Sequence, residues 1–129
     1  MRLGYIILYV SDVTATVEFY ERAFGLIRRF IHDSGAYAEL ETGTTALAFA
    51  EEGFVASAGH RFRPNRAGDE AAGAEIALVV ADVQEAFDRA LAAGAENEHA
   101  PERKPWGQIV SYVRDCNGFL VELCSEIGE

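Results

Sequence analysis

The sequence predicts an α+β fold built from two tandem βαβββ modules, and three observations carry the prediction. First, Ile6-Ile7-Leu8-Tyr9-Val10-Ser11-Asp12-Val13 recurs as Ile76-Ala77-Leu78-Val79-Val80-Ala81-Asp82-Val83 at a constant offset of 70. Second, each copy runs from a short β-branched apolar stretch through an Asp into a stretch of helical period. Third, each helical stretch is followed by further strand-like runs separated by turn residues.

In the first module Val13, Val17, Tyr20 and Phe24 fall on one face of a helix, and Gly25 supplies a stop that tolerates left-handed backbone. Strands are then expected over 27–32, 36–40 and 44–50, with Asp33-Ser34-Gly35 as a turn. In the second module Asp82 and Glu85 have the spacing of a capping box. Val83, Phe87, Ala90 and Leu91 form the apolar face, and Gly94 ends the helix. Strands follow over 95–99, 108–114 and 119–124, the last two joined by Asp115-Cys116-Asn117-Gly118. The organisation expected is one domain over 1–129: a first module at 1–50, a connecting loop at 51–73 and a second module at 74–129.

Composition bounds the function classes. Half of the 129 residues are apolar, a quarter are charged and 11% are aromatic, as in an ordinary globular domain. The net charge of −10 repels phosphate backbones and anionic lipid, which argues against nucleic-acid and membrane-surface partners. Apolar runs such as 5–10 fall far short of the roughly 20 residues a membrane helix needs. Cys116 and Cys124 lack the spacing of a metal site and are too few for a disulfide framework. With no extended apolar leader at Met1-Arg2-Leu3-Gly4, the expected location is the cytoplasm.

Alternation along the strands sorts side chains by face. Ile6, Leu8 and Val10, Ile76, Leu78 and Val80, Leu47 and Phe49, and Phe119, Val121 and Leu123 are expected under the helices. The opposite face then holds Tyr5, Ile7 and Tyr9, Ala46, Ala48 and Ala50, Glu75, Ala77 and Val79, and Leu120, Glu122 and Cys124. A carboxylate on a largely apolar surface is costly without a partner, so Glu75 and Glu122 are the first candidates for function. The plainer alternative pairs Glu75 with Arg61, Arg63 or Arg66. The cluster Arg61-Phe62-Arg63-Pro64-Asn65-Arg66 either attracts an anionic compound or compensates the acidic chain.

Val10-Ser11-Asp12-Val13 running into Phe19-Tyr20-Glu21-Arg22-Ala23-Phe24-Gly25-Leu26, then 76–83, Pro105-Trp106-Gly107 and Asp115-Cys116-Asn117-Gly118-Phe119-Leu120-Val121-Glu122-Leu123 follow a familiar order. In that order the chain resembles the vicinal oxygen chelate superfamily, which includes glyoxalase I, bleomycin resistance proteins, fosfomycin resistance enzymes and extradiol dioxygenases. The resemblance implies curved mixed sheets around a cavity, and a homodimer. It places the metal-ligand positions of the family's metal-using members at Tyr5, Ala48, Glu75 and Glu122. Only the two acids are ordinary ligands, a poor set for Zn or Ni and a weak one for Mg or Mn. His32, His60 and His99 lie off those positions. Trp106 matches a loop that borders the family's pocket, where it either stacks on a ligand or lids the sheet edge.

Two functions follow. One is a binding module similar to bleomycin resistance proteins that needs no cofactor, holding a small amphipathic or aromatic molecule with Tyr5, Tyr9, Ala48, Trp106, Arg63 and the two acids. The other is a glyoxalase-type lyase or isomerase, or a dioxygenase, with Glu122 and Glu75 as catalytic groups or as ligands to a divalent metal. Whether the chain is an enzyme stays open at this point.

Overall fold

Caps and turns fix the elements, and the elements fix the register on which the site depends. A computed structural model describes residues 1–128, and the chain divides into two compact units, Met1–Asn65 and Arg66–Glu129. In the first, β1 (Tyr5–Val10) leads through Asp12 into α1 (Val13–Phe24). Asp12 Oδ1 accepts the Ala15 N–H at 3.0 Å, and Gly25, at φ 67°, donates its N–H to the Glu21 carbonyl at 3.1 Å. Strands β2 (Ile27–Ile31), β3 (Tyr37–Glu41) and β4 (Ala46–Glu51) follow. The sheet order is β1-β4-β3-β2, with β1 parallel to β4 and the other pairs antiparallel.

Helix α1 lies over β2, β3 and β4 and buries Val13, Val17 and Tyr20, whose ring centroid is 4.9 Å from that of Phe49. The buried stripe is wider than expected. It takes in Thr16 and Phe19, while Phe24 is half-buried. Thr16 is tolerated inside because its hydroxyl donates to the Asp12 carbonyl at 2.7 Å. A short helix, α2 (Glu52–Ser57), stands in the stretch expected to be loop and buries Val55.

The second unit repeats the plan with β5 (Glu75–Val79), α3 (Val83–Ala92), β6 (Glu96–Arg103), β7 (Ile109–Arg114) and β8 (Leu120–Cys124), in the order β5-β8-β7-β6. Asp82 caps α3 by accepting the Glu85 N–H at 3.0 Å. Ala93 takes the cap position, and Gly94, at φ 108°, turns the chain one residue later. Helix α3 covers β6, β7 and β8, burying Val83, Phe87 and Ala90 against a sheet that contributes Val113, Val121 and Leu123.

Leu47, Phe49, Phe119, Val121 and Leu123 are buried as their parity requires. The edge strands differ. Ile6 is 40% exposed, and Leu8, Ile76, Leu78 and Val80 are only half-buried, because β1 and β5 lie at sheet edges beyond the strands that α1 and α3 cover.

The β7–β8 turn sets the register of the last strand. Asp115, buried, accepts the N–H groups of Asn117 and Phe119 at 2.8 and 2.9 Å, while the Gly118 N–H reaches the Asp115 carbonyl at 3.0 Å. Gly118 has φ +84°, and the Arg66 carbonyl fills the space where a Cβ would sit. Gly118→Ala therefore combines left-handed strain of about 1–2 kcal/mol with an overpacking cost of about 1–3 kcal/mol. Gly35, at φ +74°, has nothing near its missing Cβ. Urea unfolding is expected to show Gly118→Ala losing clearly more stability than Gly35→Ala, and equal losses would refute the close packing.

Candidate functional site in the second unit

Two pairings converge on Glu122. The parallel pairing sets Glu122 of β8 beside Ala77 of β5, with Glu75 one side-chain step away beside Leu120. The antiparallel pairing sets Tyr112 of β7 directly across from Glu122. All of these project from the face opposite α3, so Glu122 becomes a hub: Glu75 and Tyr112 hydrogen-bond to its carboxyl group, and the Cys124 thiol, which donates to the Leu78 carbonyl at 3.8 Å, lies beside it.

Each partner is shifted by that environment. Glu75 is pushed up to about 7, first by its hydrogen bond to Glu122, then by partial burial, then by repulsion from the neighbouring acid. A hydrogen bond between two carboxyl groups requires a proton on one of them, and Glu75 carries it below about 7 and loses it above. Burial foremost, with the nearby acids adding to it, pushes the Tyr112 phenol up to about 12 and the Cys124 thiol up to about 11. Both stay protonated at neutral pH. Tyr112 serves Glu122 as a donor, and the thiol, turned to the Leu78 carbonyl, is not a nucleophile.

Trp106 stands over this face on a tight turn, in which Gly107, at φ 92°, donates its N–H to the Lys104 carbonyl at 2.9 Å. Its indole Nε1 donates to Gln108 Oε1 at 2.8 Å, and the buried Gln108 donates Nε2 to the Ser125 carbonyl at 2.9 Å. The polar edge of the ring is thereby anchored while 57% of the residue stays exposed. Together Trp106, Tyr112, Glu122, Cys124, Val79 and Ile127 border a hollow of about 630 Å³, a size suited to a small organic ligand. Glu75 is itself exposed and is not part of that lining; it reaches the hollow through Glu122.

The remaining candidates lie in the first unit. Tyr5 and Tyr9 sit on β1 beside Ala46 and Ala50, and Tyr9 has its ring edge-on to Phe62 at 5.0 Å. Arg63 is exposed beyond α2. Ala48 is fully buried opposite Glu39. Glu39 is a buried acid that alternation in β1 and β4 alone does not reveal. Its carboxylate receives Arg29 Nη1 at 3.0 Å and the Tyr37 hydroxyl at 2.8 Å, and Arg29 also grips Glu41 through Nε and Nη2 at 3.1 and 3.0 Å. The signal was present as Tyr37, Glu39 and Glu41 at period two, with a basic residue on the neighbouring strand. Tyr112 and Gln108 were likewise legible only by extending the alternation to β7.

The family profile described as Glyoxalase/Bleomycin resistance protein/Dioxygenase superfamily matches residues 2–123, and the chain belongs to that family. It is 27% identical over 124 residues to the uncharacterized protein YraH of Bacillus subtilis (strain 168), covering 95% of this chain and 97% of that one. Among solved structures, a glyoxalase-related enzyme from Fulvimarina pelagi superposes with a TM-score of 0.83 at 20% identity, over 98% of this chain and 88% of the other. TioX from Micromonospora sp. ML1 superposes with a TM-score of 0.75 at 25% identity, over 98% and 100%.

Many members of this family use a divalent metal. At the positions that the resemblance implies for the ligands, Ala48 offers a methyl group, Tyr5 a phenol, and Glu75 and Glu122 are hydrogen-bonded to each other. Among the described residues no group of three or more His, Cys, Asp or Glu is arranged to hold an ion. This donor set lacks the nitrogen or sulfur that Zn and Ni favour, and it does not fit such a metal.

The acid pair has a consequence for stability. Glu75 keeps its proton in the folded chain up to about 7 against an ordinary value of 4.5. The folded chain thus holds more protons than the unfolded one between those values, and stability falls as pH rises through that window. Glu122→Gln removes the neighbouring acid and is expected to flatten this fall, read as melting temperature across the same pH range. A variant whose melting falls as steeply as the parent's would show that Glu122 is not the cause.

Proposed function

We propose that the hollow beside Trp106 and Glu122 binds a small amphipathic or aromatic molecule carrying a cationic or hydrogen-donating group, without a complete metal site. The observation that carries this reading is an acid whose listener is another acid, placed next to an exposed indole face. Trp106 offers stacking area, and Glu122 offers an acceptor that discriminates against ligands leaving it unmatched. Lys104, the basic residue on the lining, is held by Glu102 at 2.7 Å, which leaves the polar character of the hollow to the acids.

A single tryptophan makes the test direct. Titration with benzylamine is expected to give a saturable change in Trp106 fluorescence and a rise in melting temperature. Glu122→Gln should weaken it about tenfold, the scale of one hydrogen bond to a charged group. Melting that responds to Mg²⁺ or Mn²⁺ while no amine is bound would overturn the reading.

Glu75 also supports a second reading. A carboxyl group poised near neutrality suits proton transfer beside a carbonyl, as a glyoxalase-type lyase or isomerase requires, with the protonated Tyr112 as a donor to developing oxygen charge. Turnover that survives replacement of both acids by Gln would remove it.

The two units are proposed to serve as one domain of the family in a cytoplasmic homodimer. Cys116 and Cys124 are both thiols, and among the described residues no helix is long and apolar enough to cross a membrane. The dimer is supported by the β1 edge, which exposes Tyr5, Ile6 and Ile7 beside an open row of backbone groups. Ile6→Lys is expected to shift the sedimentation of the protein from dimer to monomer, and a parent that already sediments as a monomer would refute the pairing.

A further inference from the structure

The hollow beside Trp106 is one of two on the same face. A second, of about 520 Å³, is lined by His99, Pro101, Glu102, Lys104, Val110 and Tyr112, the last three also bordering the first hollow. Together they form a trough running across the strands from β5 and β8, over β7, to β6. The register of β6 against β7 slips between Asn97 and His99 and again between His99 and Glu102, and Pro101 stands in the second irregularity. An edge strand tolerates such a proline, and the bulges re-aim its side chains. His99 is exposed, lies across from Tyr112 and meets its ring edge-on, centroids 6.0 Å apart at 77°.

We propose that the second hollow is a ring-binding subsite, so that the site takes an elongated two-ring compound whose donor or cationic end meets Glu122 while its far ring lies between His99 and Pro101 over Tyr112. This rests on the reading of the first hollow as a ligand site. Three features fix the class. The distance from β8 to β6 is two strand spacings, about 10 Å, which fits two rings in line rather than one. The charges of the far end are already matched, since Lys104 Nζ lies 2.7 Å from Glu102 Oε1, so a neutral ring suits it better than a second charge. Finally, Tyr112 serves both ends: its hydroxyl bonds Glu122 while its ring meets His99.

The test compares benzylamine with 4-phenylbenzylamine, which carries the same charge on one more ring, by Trp106 fluorescence in three forms of the protein. In the parent the two-ring amine is expected to bind at least tenfold tighter. His99→Ala should reduce that advantage threefold or more and leave benzylamine unchanged, and His99→Phe, which keeps a ring, should restore it. Equal affinities in the parent, or a His99→Ala effect that is absent or the same for both amines, would overturn the subsite while leaving the first hollow standing. If neither amine binds the parent, the reading of the first hollow fails and the subsite falls with it.

Discussion

An acid facing an acid is the constraint around which the second unit is arranged. Glu122 projects between two neighbouring strands, and its hydrogen-bonding partners are Glu75 and Tyr112, two groups that can reach it as donors only while protonated. That arrangement depends on backbone register. A one-residue slip of β8 would send Glu122 under α3 and bring Val121 and Leu123 out to the open face. The turn at Asp115 and Gly118 therefore holds the acid on the open face although it lies outside the hollow.

The first unit shows what the same scaffold looks like once its acid is matched. Glu39 is nearly as deep as the core residues around it, yet it receives a guanidinium and a phenol and faces the methyl group of Ala48. In the second unit the positions trade roles: the acid moves from the third strand of the module to the fourth, and a tyrosine takes its place on the third. Arg29 has no counterpart among the hydrogen-bond partners of Glu122. The backbones of the modules repeat while the electrostatics diverge, so the fold leaves the chemistry to a few side chains.

This division explains what the sequence could and could not reveal. Repeat, caps and apolar periods are local signals, and the helices and the strands at 27–31, 37–41, 109–114 and 120–124 emerge within a residue or two of them. Glu75 and Glu122 were visible because each breaks an alternating apolar run. Their mutual hydrogen bond was not, since it depends on how β5 and β8 register across more than forty residues of chain. Pairing Glu75 with an arginine was an equally reasonable reading of the same letters. The exposure of Ile6 was hidden for a related reason: parity assigns a face, but only sheet order shows that β1 lies beyond the cover of α1. The second hollow was beyond reach altogether, because bulges in β6 reset parity around His99 and Pro101.

In the proposed binding mode, affinity and selectivity would be divided between two kinds of group on this face. Stacking on the Trp106 ring rewards any flat ligand, and the anchoring of its Nε1 through Gln108 to the Ser125 carbonyl lowers the entropy lost when a ligand settles on it. Glu122 acts in the opposite sense. Already supplied with donors, it gives up one of its present partners' hydrogen bonds to any newcomer, so only a ligand with a better donor gains by displacing them. A purely apolar ring would fill the hollow without disturbing that network and would be held by area alone. A ring bearing an ammonium group would both stack and replace a proton-sharing contact with a charge-assisted one, which is the stronger bond. The proposed preference for an aromatic cation thus rests on the combination of the two groups, and neither group alone would make that choice.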